Sequence, residues 1–373
     1  MWQPQGLFNQ FVLRTPVVLS GERSIQGLYN YPASRIAVIH GSSFGDKDTF
    51  RAAFPGKDVR FFGRSWQGEP DIEGLAGTVA GLEDFRPDTI VAAGGGSVID
   101  GAKLCRLLYE FPYFDMDERR IGGEGLRTHF VAVPTTVGSG AEVSSAAVFI
   151  DREKERKDMI VLHELQPDVI VYDSRYVENT PVRILCASVL DAAAHMIEGY
   201  VSKTENGFAD VMAEKGLSII HGEMKKVLSG EAADMARLQY AGYLGGIVQN
   251  HCVVGAAHAL AHQLGGHGYS HGEAVGLLMP AVTEMNSADG SVRSGYTRLA
   301  EEAGLDGADG IRKMYEDILG FSGIGGRRED LKALLADLCG RETFRDNVRA
   351  DRGGAGNPLD MTDEFIEQTI RSI

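Results

Sequence analysis

Four of the chain's ten histidines fall in one short apolar, glycine-rich stretch, Gly255-Ala-Ala-His258-Ala-Leu-Ala-His262-Gln-Leu-Gly265-Gly-His267-Gly-Tyr-Ser-His271-Gly272. On a helix His258 and His262 share a face. His271 follows a glycine-rich break, where the chain can fold back toward that face. Upstream, Asp191-Ala-Ala-Ala-His195 repeats the i, i+4 spacing and the alanine surroundings. One histidine on an alanine-rich helix is an ordinary core residue, and one Asp/His pair is an ordinary helix ion pair. Both pairs together read differently: buried polar groups need partners, and Ala and Gly offer none. A divalent transition metal, whose preferred donors include imidazole and carboxylate, would satisfy them all.

A second chemistry is written at Gly94-Gly95-Gly96-Ser97, between an apolar run and a helical one. Glycines let a backbone approach an anion closely, and the free N–H groups at a helix start point toward it. The turn is not the G-x-G-x-x-G fingerprint. Pro134-Thr135-Thr136-Val137-Gly138-Ser139-Gly140 closes another apolar run and adds a second hydroxyl- and glycine-rich loop. Two such loops at one sheet edge suit a dinucleotide lying across strand ends.

These residues must be positioned by regular elements. Short β-branched runs at 35–39, 59–62, 89–93 and 130–133 alternate with helical spacing, which predicts parallel β-α-β units. Residues 1–34 read as an irregular or short-stranded lead-in (Gln10-Phe-Val-Leu, Pro16-Val-Val-Leu), and 143–162 as a hairpin with the charged tip 151–156. A last strand is expected at 167–172. From Pro181 the strand signals vanish and helical segments run to the end, so the boundary falls at Thr180–Pro181: an α/β domain over 1–180 and an all-α domain over 181–373. Residues 342–358 read as loop-rich near their end. The composition, 43% hydrophobic and 24% charged with a net charge of −15, is that of a globular protein long enough for two cores, and argues against binding nucleic acid or an anionic membrane surface. The four scattered cysteines lack C-x-x-C spacing and suggest reduced thiols, hence the cytoplasm. No leader and no membrane span are expected.

The segments Gly94-Gly-Gly-Ser-Val-Ile-Asp-Gly-Ala-Lys103, Pro134-Thr-Thr-Val-Gly-Ser-Gly-Ala-Glu142, Asp191-Ala-Ala-Ala-His-Met-Ile-Glu-Gly-Tyr200 and His258-Ala-Leu-Ala-His262…His271-Gly272 resemble, in order, the motifs of the iron-containing (group III) alcohol dehydrogenases. The match runs from about residue 10 to 285 and is looser beyond. It implies a dehydroquinate synthase-like fold, with a Rossmann-like α/β domain for the nicotinamide cofactor and a helical domain holding the metal in the cleft between them. Carried over, the metal ligands are Asp191, His195, His258 and His271, and His262 lies near nicotinamide and substrate. The cofactor residues are Gly95, Gly96, Ser97, Asp100, Thr135, Thr136, Ser139 and the hairpin's Lys157. The spacing from His262 to His271 is one residue shorter than in relatives, which makes His267 an extra candidate; Gly272 after His271 favours His271. After the first strand, Gly41-Ser42-Ser43 stands where NAD-preferring relatives carry an acidic residue, which resembles the NADPH-preferring members. The resemblance implies a reductase of small aldehydes (in reverse, an alcohol dehydrogenase), with Fe²⁺, or Zn²⁺ as the alternative, and a homodimer. Arg345, Arg349, Arg352 and Gly356-Asn-Pro358 resemble the tails of phosphonoacetaldehyde-reducing members, an anion that arginines suit. The alternatives on this fold are a dehydroquinate synthase-type lyase and a metal-free maleylacetate reductase. The intact ligand set favours the dehydrogenase over both.

Overall fold

The computed structural model describes residues 16–42, 44–122, 125–152 and 156–373. These form two compact units, one up to Thr180 and the other from Pro181 to Ile373. The expected lead-in segment Gln10-Phe-Val-Leu, residue Ser43 and the hairpin tip 153–155 lie outside the described residues.

In the first unit the central apolar runs at 35–40, 89–94, 129–134 and 169–172 become strands buried on both faces, the setting usual for parallel sheets, while the runs at 17–20 and 58–63 form its partly exposed edges. They are β1 (Val17–Ser20), β2 (Arg35–His40), β3 (Asp58–Gly63), β4 (Thr89–Gly94), β5 (His129–Pro134), the hairpin strands β6 (Ala146–Asp151) and β7 (Arg156–Val161), and β8 (Val169–Tyr172). The main sheet has the order β1-β8-β5-β4-β2-β3 and every pairing in it is parallel, while β6 and β7 pair antiparallel. Three helices, α1 (Lys47–Ala53), α2 (Ile72–Phe85) and α3 (Gly96–Glu110), supply crossovers. Alternate residues of β4 serve opposite cores: Ile90 and Ala92 pack with α2 and α3 residues such as Leu75 and Ile99, while Val91 and Ala93 pack with Ile25 and Phe50. The Rossmann-like α/β expectation holds.

The register places the functional loops in a row. His40 pairs with Gly63 and Ala93, and Gly94 with Pro134, so the chain leaves β3, β2, β4 and β5 side by side at their carboxyl ends. One close contact fixes α3 over this edge. A Cβ on Gly101 would lie 2.1 Å from the indole of Trp66, which is itself 1% exposed. Gly101→Ala is therefore expected to cost about 1–3 kcal/mol through overpacking, read as a lower denaturant midpoint; an unchanged midpoint would show that the contact is slack.

The second unit is helical: α4 (Val182–Tyr200), α5 (Gly207–Leu228), α6 (Met235–His251), α7 (Ala256–His262), α8 (His271–Asn286), α9 (Gly290–Glu302), α10 (Gly307–Ser322), α11 (Arg328–Cys339), α12 (Glu342–Ala350), α13 (Arg352–Gly356) and α14 (Asp363–Ser372). Asn206, Asp234 and Asp289 start α5, α6 and α9 by accepting backbone N–H bonds. The loop expected near the end of 342–358 is instead the short helix α13, which follows α12. Asp351 caps α13, accepting from Gly353 N at 2.8 Å. The glycines that read as loop are there because side chains would collide: Cβ atoms on Gly353 and Gly356 would meet the Gly255 and Val254 carbonyls at 2.8 and 2.4 Å.

Candidate active site

From Leu185 onward helix α4 is buried almost throughout, and Asp191, His195 and Glu198 are buried with it. Asp191 and His195 are 5% and 1% exposed. Opposite them, α7 presents His258, and α8 begins at His271. The start of α8 is set by a capping box between Ser270 and Glu273. Glu273 also pairs with Arg183 and, at 3.3 Å, with Arg327. Gly272 is required for physical reasons: a Cβ there would lie 2.3 Å from the Ala187 carbonyl of α4. The glycine after the last histidine thus lets α8 meet the α4 backbone and brings His271 to Asp191.

The result is a cluster around one oxygen. The Nε2 atoms of His195, His258 and His271 lie 3.8, 3.5 and 3.6 Å from Asp191 Oδ1. Donor atoms of Asp191, His195 and His258 all fall within 4.8 Å of one another. Asp191 Oδ1 and His258 Nε2 are buried, face each other and have no hydrogen-bond partner. Two donors on one ion, each about 2.1 Å from it, sit roughly 3–3.5 Å apart. The spacing and the orphaned atoms therefore fit a metal ion held by these residues better than a self-contained hydrogen-bond network.

Electrostatics agree. Burial works against a charged Asp191, but His195, His271 and His258 outweigh it and hold its carboxyl well below the usual carboxylate range. Burial pushes His195 down to about 4, against the pull of Asp191, so this imidazole is neutral with a lone pair to give. Burial also disfavours a charge on His258, yet Glu198 and Asp191 on its two sides raise it to about 9. A cation in place of that proton would meet the same two carboxylates.

Three residues contact the histidine-bearing helix α7 in ways that local spacing does not show. Glu198, one turn beyond His195, accepts from His258 Nδ1 at 2.5 Å and from Ala257 N at 2.7 Å. It fixes the tautomer that leaves Nε2 toward Asp191. The signal for Glu198 in the sequence is its place in the Asp191–Tyr200 motif. Asp351 Oδ2 lies 2.9 Å from His262 Nδ1. Asn357 accepts from Ala256 N at 3.2 Å and exchanges amide bonds with Asn286. His262 stacks on His271, with ring centroids 5.4 Å apart, so it lies beside the cluster. His267 is exposed, bonds to the Gly265 carbonyl and stays outside it.

At the carboxyl edge of the sheet, two expected cofactor loops meet. Cβ atoms on Gly95 and Gly96 would touch Thr136 at 3.1 Å and Ser139 at 2.7 Å, and Thr135 N bonds to the Gly94 carbonyl at 3.0 Å. No side chain caps α3, whose N-cap is Gly95. Ser97 Oγ donates to the Gly68 carbonyl and accepts from Trp66 Nε1 and Arg64 Nη1. Gly41 and the exposed Ser42 lie at the end of β2, one strand over. Two expected residues are engaged elsewhere. Asp100 accepts from Val148 N at 3.3 Å, and burial pushes its carboxyl up to about 6. Lys157 pairs with Glu69 at 2.5 Å. Lys103, fully buried, donates to the Ser144 and Ala146 carbonyls at 2.9 and 2.6 Å and so ties α3 to the hairpin.

Residues 16–174 match the sequence profile of iron-containing alcohol dehydrogenase, and residues 185–373 match that of the Fe-containing alcohol dehydrogenase family, C-terminal. The chain is 28% identical over 298 residues to the NADPH-dependent butanol dehydrogenase of Clostridium saccharobutylicum, covering 77% of this chain and 76% of that protein. It is 31% identical over 297 residues to the probable alcohol dehydrogenase EutG of Escherichia coli strain K12, covering 74% of each. Among solved structures it resembles the iron-containing alcohol dehydrogenase of Thermococcus thioreducens, with a TM-score of 0.86 and 26% identity over 97% of this chain and 98% of that one.

Proposed function

The chain belongs to the iron-containing alcohol dehydrogenase family and is an oxidoreductase acting on alcohols, and on that premise we propose that it reduces a small aldehyde with NADPH, using Fe²⁺ held by Asp191, His195, His258 and His271, as a homodimer in the cytoplasm. The observation that carries this reading is the buried, partnerless pair Asp191 Oδ1 and His258 Nε2 inside a cluster of imidazoles. The described residues contain no helix long and apolar enough to cross a membrane.

When bound, the metal supplies Lewis acidity toward a carbonyl or alcohol oxygen, and the nicotinamide supplies or accepts hydride. The chain's own residues do the rest. Asp191 stays anionic and His195 neutral, the states in which both can donate electron pairs. Glu198 keeps the proton of His258 on Nδ1. Asp351 holds His262 by Nδ1, which leaves Nε2 to take or give the proton that accompanies hydride transfer. Gly95, Gly96, Ser97, Thr135, Thr136 and Ser139 hold the cofactor's pyrophosphate side, with Asp100 supporting α3 beneath them and Lys157 on the hairpin. NADPH is favoured because Gly41, Ser42 and Ser43 offer no carboxylate to repel a 2′-phosphate; the Clostridium relative is named for NADPH dependence.

Three imidazoles and a carboxylate accept Zn²⁺ as well, and the family favours iron. Within the aldehyde class, phosphonoacetaldehyde remains the anionic member to test. Its support from the tail is narrower than the sequence suggested: Arg345 and Arg349 both pair with Asp363, and Arg352 is the exposed guanidinium. The test is NADPH absorbance with a panel of neutral and anionic aldehydes, using protein purified without oxygen, with Fe²⁺, with Zn²⁺ and with chelator. Turnover restored by Fe²⁺ is expected. Full turnover in chelator would sink the metal role, and no turnover with any aldehyde would sink the reductase.

A further inference from the structure

The loop that follows β3 carries a cation without a counter-ion. Arg64 is anchored beside the end of β2, its backbone N–H donating to the His40 carbonyl at 3.0 Å. Its guanidinium reaches to the first turn of α3, where Nη1 donates to Ser97 Oγ at 3.2 Å, and to the Gly68 carbonyl at 3.1 Å. Both acceptors are neutral. Carboxylates on adjoining segments have partners of their own: Glu69 Oε1 pairs with Lys157 at 2.5 Å, Asp71 with Arg152 at 2.9 Å, and Asp46 accepts from the Tyr176 hydroxyl at 2.9 Å. Asp100 faces Lys103 and the Val148 amide. Among the described residues no carboxylate lies within ion-pair distance of Arg64, and Nε and Nη2 have no partner.

An arginine's planar fork suits a phosphate, which it can grip through two parallel N–H bonds. Here one nitrogen is pinned by the protein, which fixes the plane, while the others are open. The fork stands between the Gly41-Ser42 end of β2 and the glycine turn of α3.

We propose that Arg64 is the specificity-determining residue of the cofactor site and takes the 2′-phosphate of a 2′-phosphorylated adenine dinucleotide. This rests on the reading of the α/β unit as an NADPH site. The missing carboxylate at Gly41-Ser42 removes repulsion, and Arg64 supplies the attraction.

The test uses the full chain and two readouts. With Arg64→Leu, the NADPH-to-NADH ratio of kcat/KM is expected to fall roughly 10- to 100-fold, mostly through KM for NADPH, the range of a hydrogen-bonded charge. Arg64→Lys, which keeps the charge and loses the fork, is expected to fall between. Calorimetry without substrate or metal is expected to show the same loss for adenosine 2′,5′-bisphosphate. Binding of ADP, which lacks the 2′-phosphate, reports any damage to the loop itself. Equal losses for both nucleotides, or no loss for either, overturn the role of Arg64. A wild-type chain that binds adenosine 2′,5′-bisphosphate no better than ADP and turns over faster with NADH overturns the NADPH reading beneath it.

Discussion

Replacing Asp191 with alanine is expected to strip the purified protein of its metal and to lower aldehyde reduction by on the order of 10³-fold or more, since a Lewis acid contributes several kcal/mol to such a barrier. Asp191 Oδ1 is the point on which the Nε2 atoms of His195, His258 and His271 converge, at 3.8, 3.5 and 3.6 Å. Without that carboxylate, three imidazoles crowd a buried space with no central negative charge beside them. Asp191→Asn tests charge apart from shape: the amide fills the same volume, and metal affinity is expected to fall nearly as far. His195→Ala is expected to behave like Asp191→Ala. Glu198→Gln, which spares every proposed ligand, is expected to cost about 10- to 100-fold in metal affinity through His258. The measurements are elemental analysis of protein purified without oxygen and turnover in the same preparation. If Asp191→Ala retains stoichiometric iron, or keeps full activity in chelator, the cluster is not the metal centre.

What could be seen in the sequence was what local spacing encodes. Asp191 and His195, or His258 and His262, share a helix face by geometry alone, and their alanine surroundings mark them as buried. Strand ends could be read because β-branched runs stop at glycine or hydroxyl residues, and the parallel order then aligns those stops. What could not be read was anything set by distant packing. Asp351 reaches His262 across 89 residues, and only because Gly353 and Gly356 let α13 press on the backbone before α7. The same glycines suggested a loop. Glu198 sits in a motif but serves a histidine 60 residues on. Lys157 and Asp100 are engaged with Glu69 and Val148, partners that no spacing rule names. Arg64 becomes informative only once it is seen that, among the described residues, no carboxylate lies within ion-pair distance of it.

His262→Ala is expected to lower kcat by about 10²- to 10⁴-fold, the span of a positioned general acid–base, with metal content unchanged. That combination separates it from the Asp191 variants. The ring is held on two sides: Asp351 Oδ2 accepts from Nδ1 at 2.9 Å, and the His271 imidazole stacks against it with the planes 15° apart. Only Nε2 is left for proton transfer. Asp351→Ala removes the orienting acceptor and is expected to lower kcat by a smaller factor, with little change in KM for NADPH. Asp351→Asn keeps an acceptor oxygen but not the charge, so it is expected to recover part of that loss. The same carboxylate carries a stability signature. Burial opposes its charged form, but His262 and the Gly353 amide outweigh burial and lower its pKa. A carboxyl lowered in the folded state stabilises above its unfolded pKa, about 3.9. That stabilisation disappears as pH falls through the lower folded value. Asp351→Asn is therefore expected to melt below wild type at pH 7, with the gap closing as pH falls below the unfolded carboxylate value and through the lower folded one. A variant with wild-type kcat and an unchanged gap across that range would show that the Asp351–His262 contact neither steers the proton nor holds the tail.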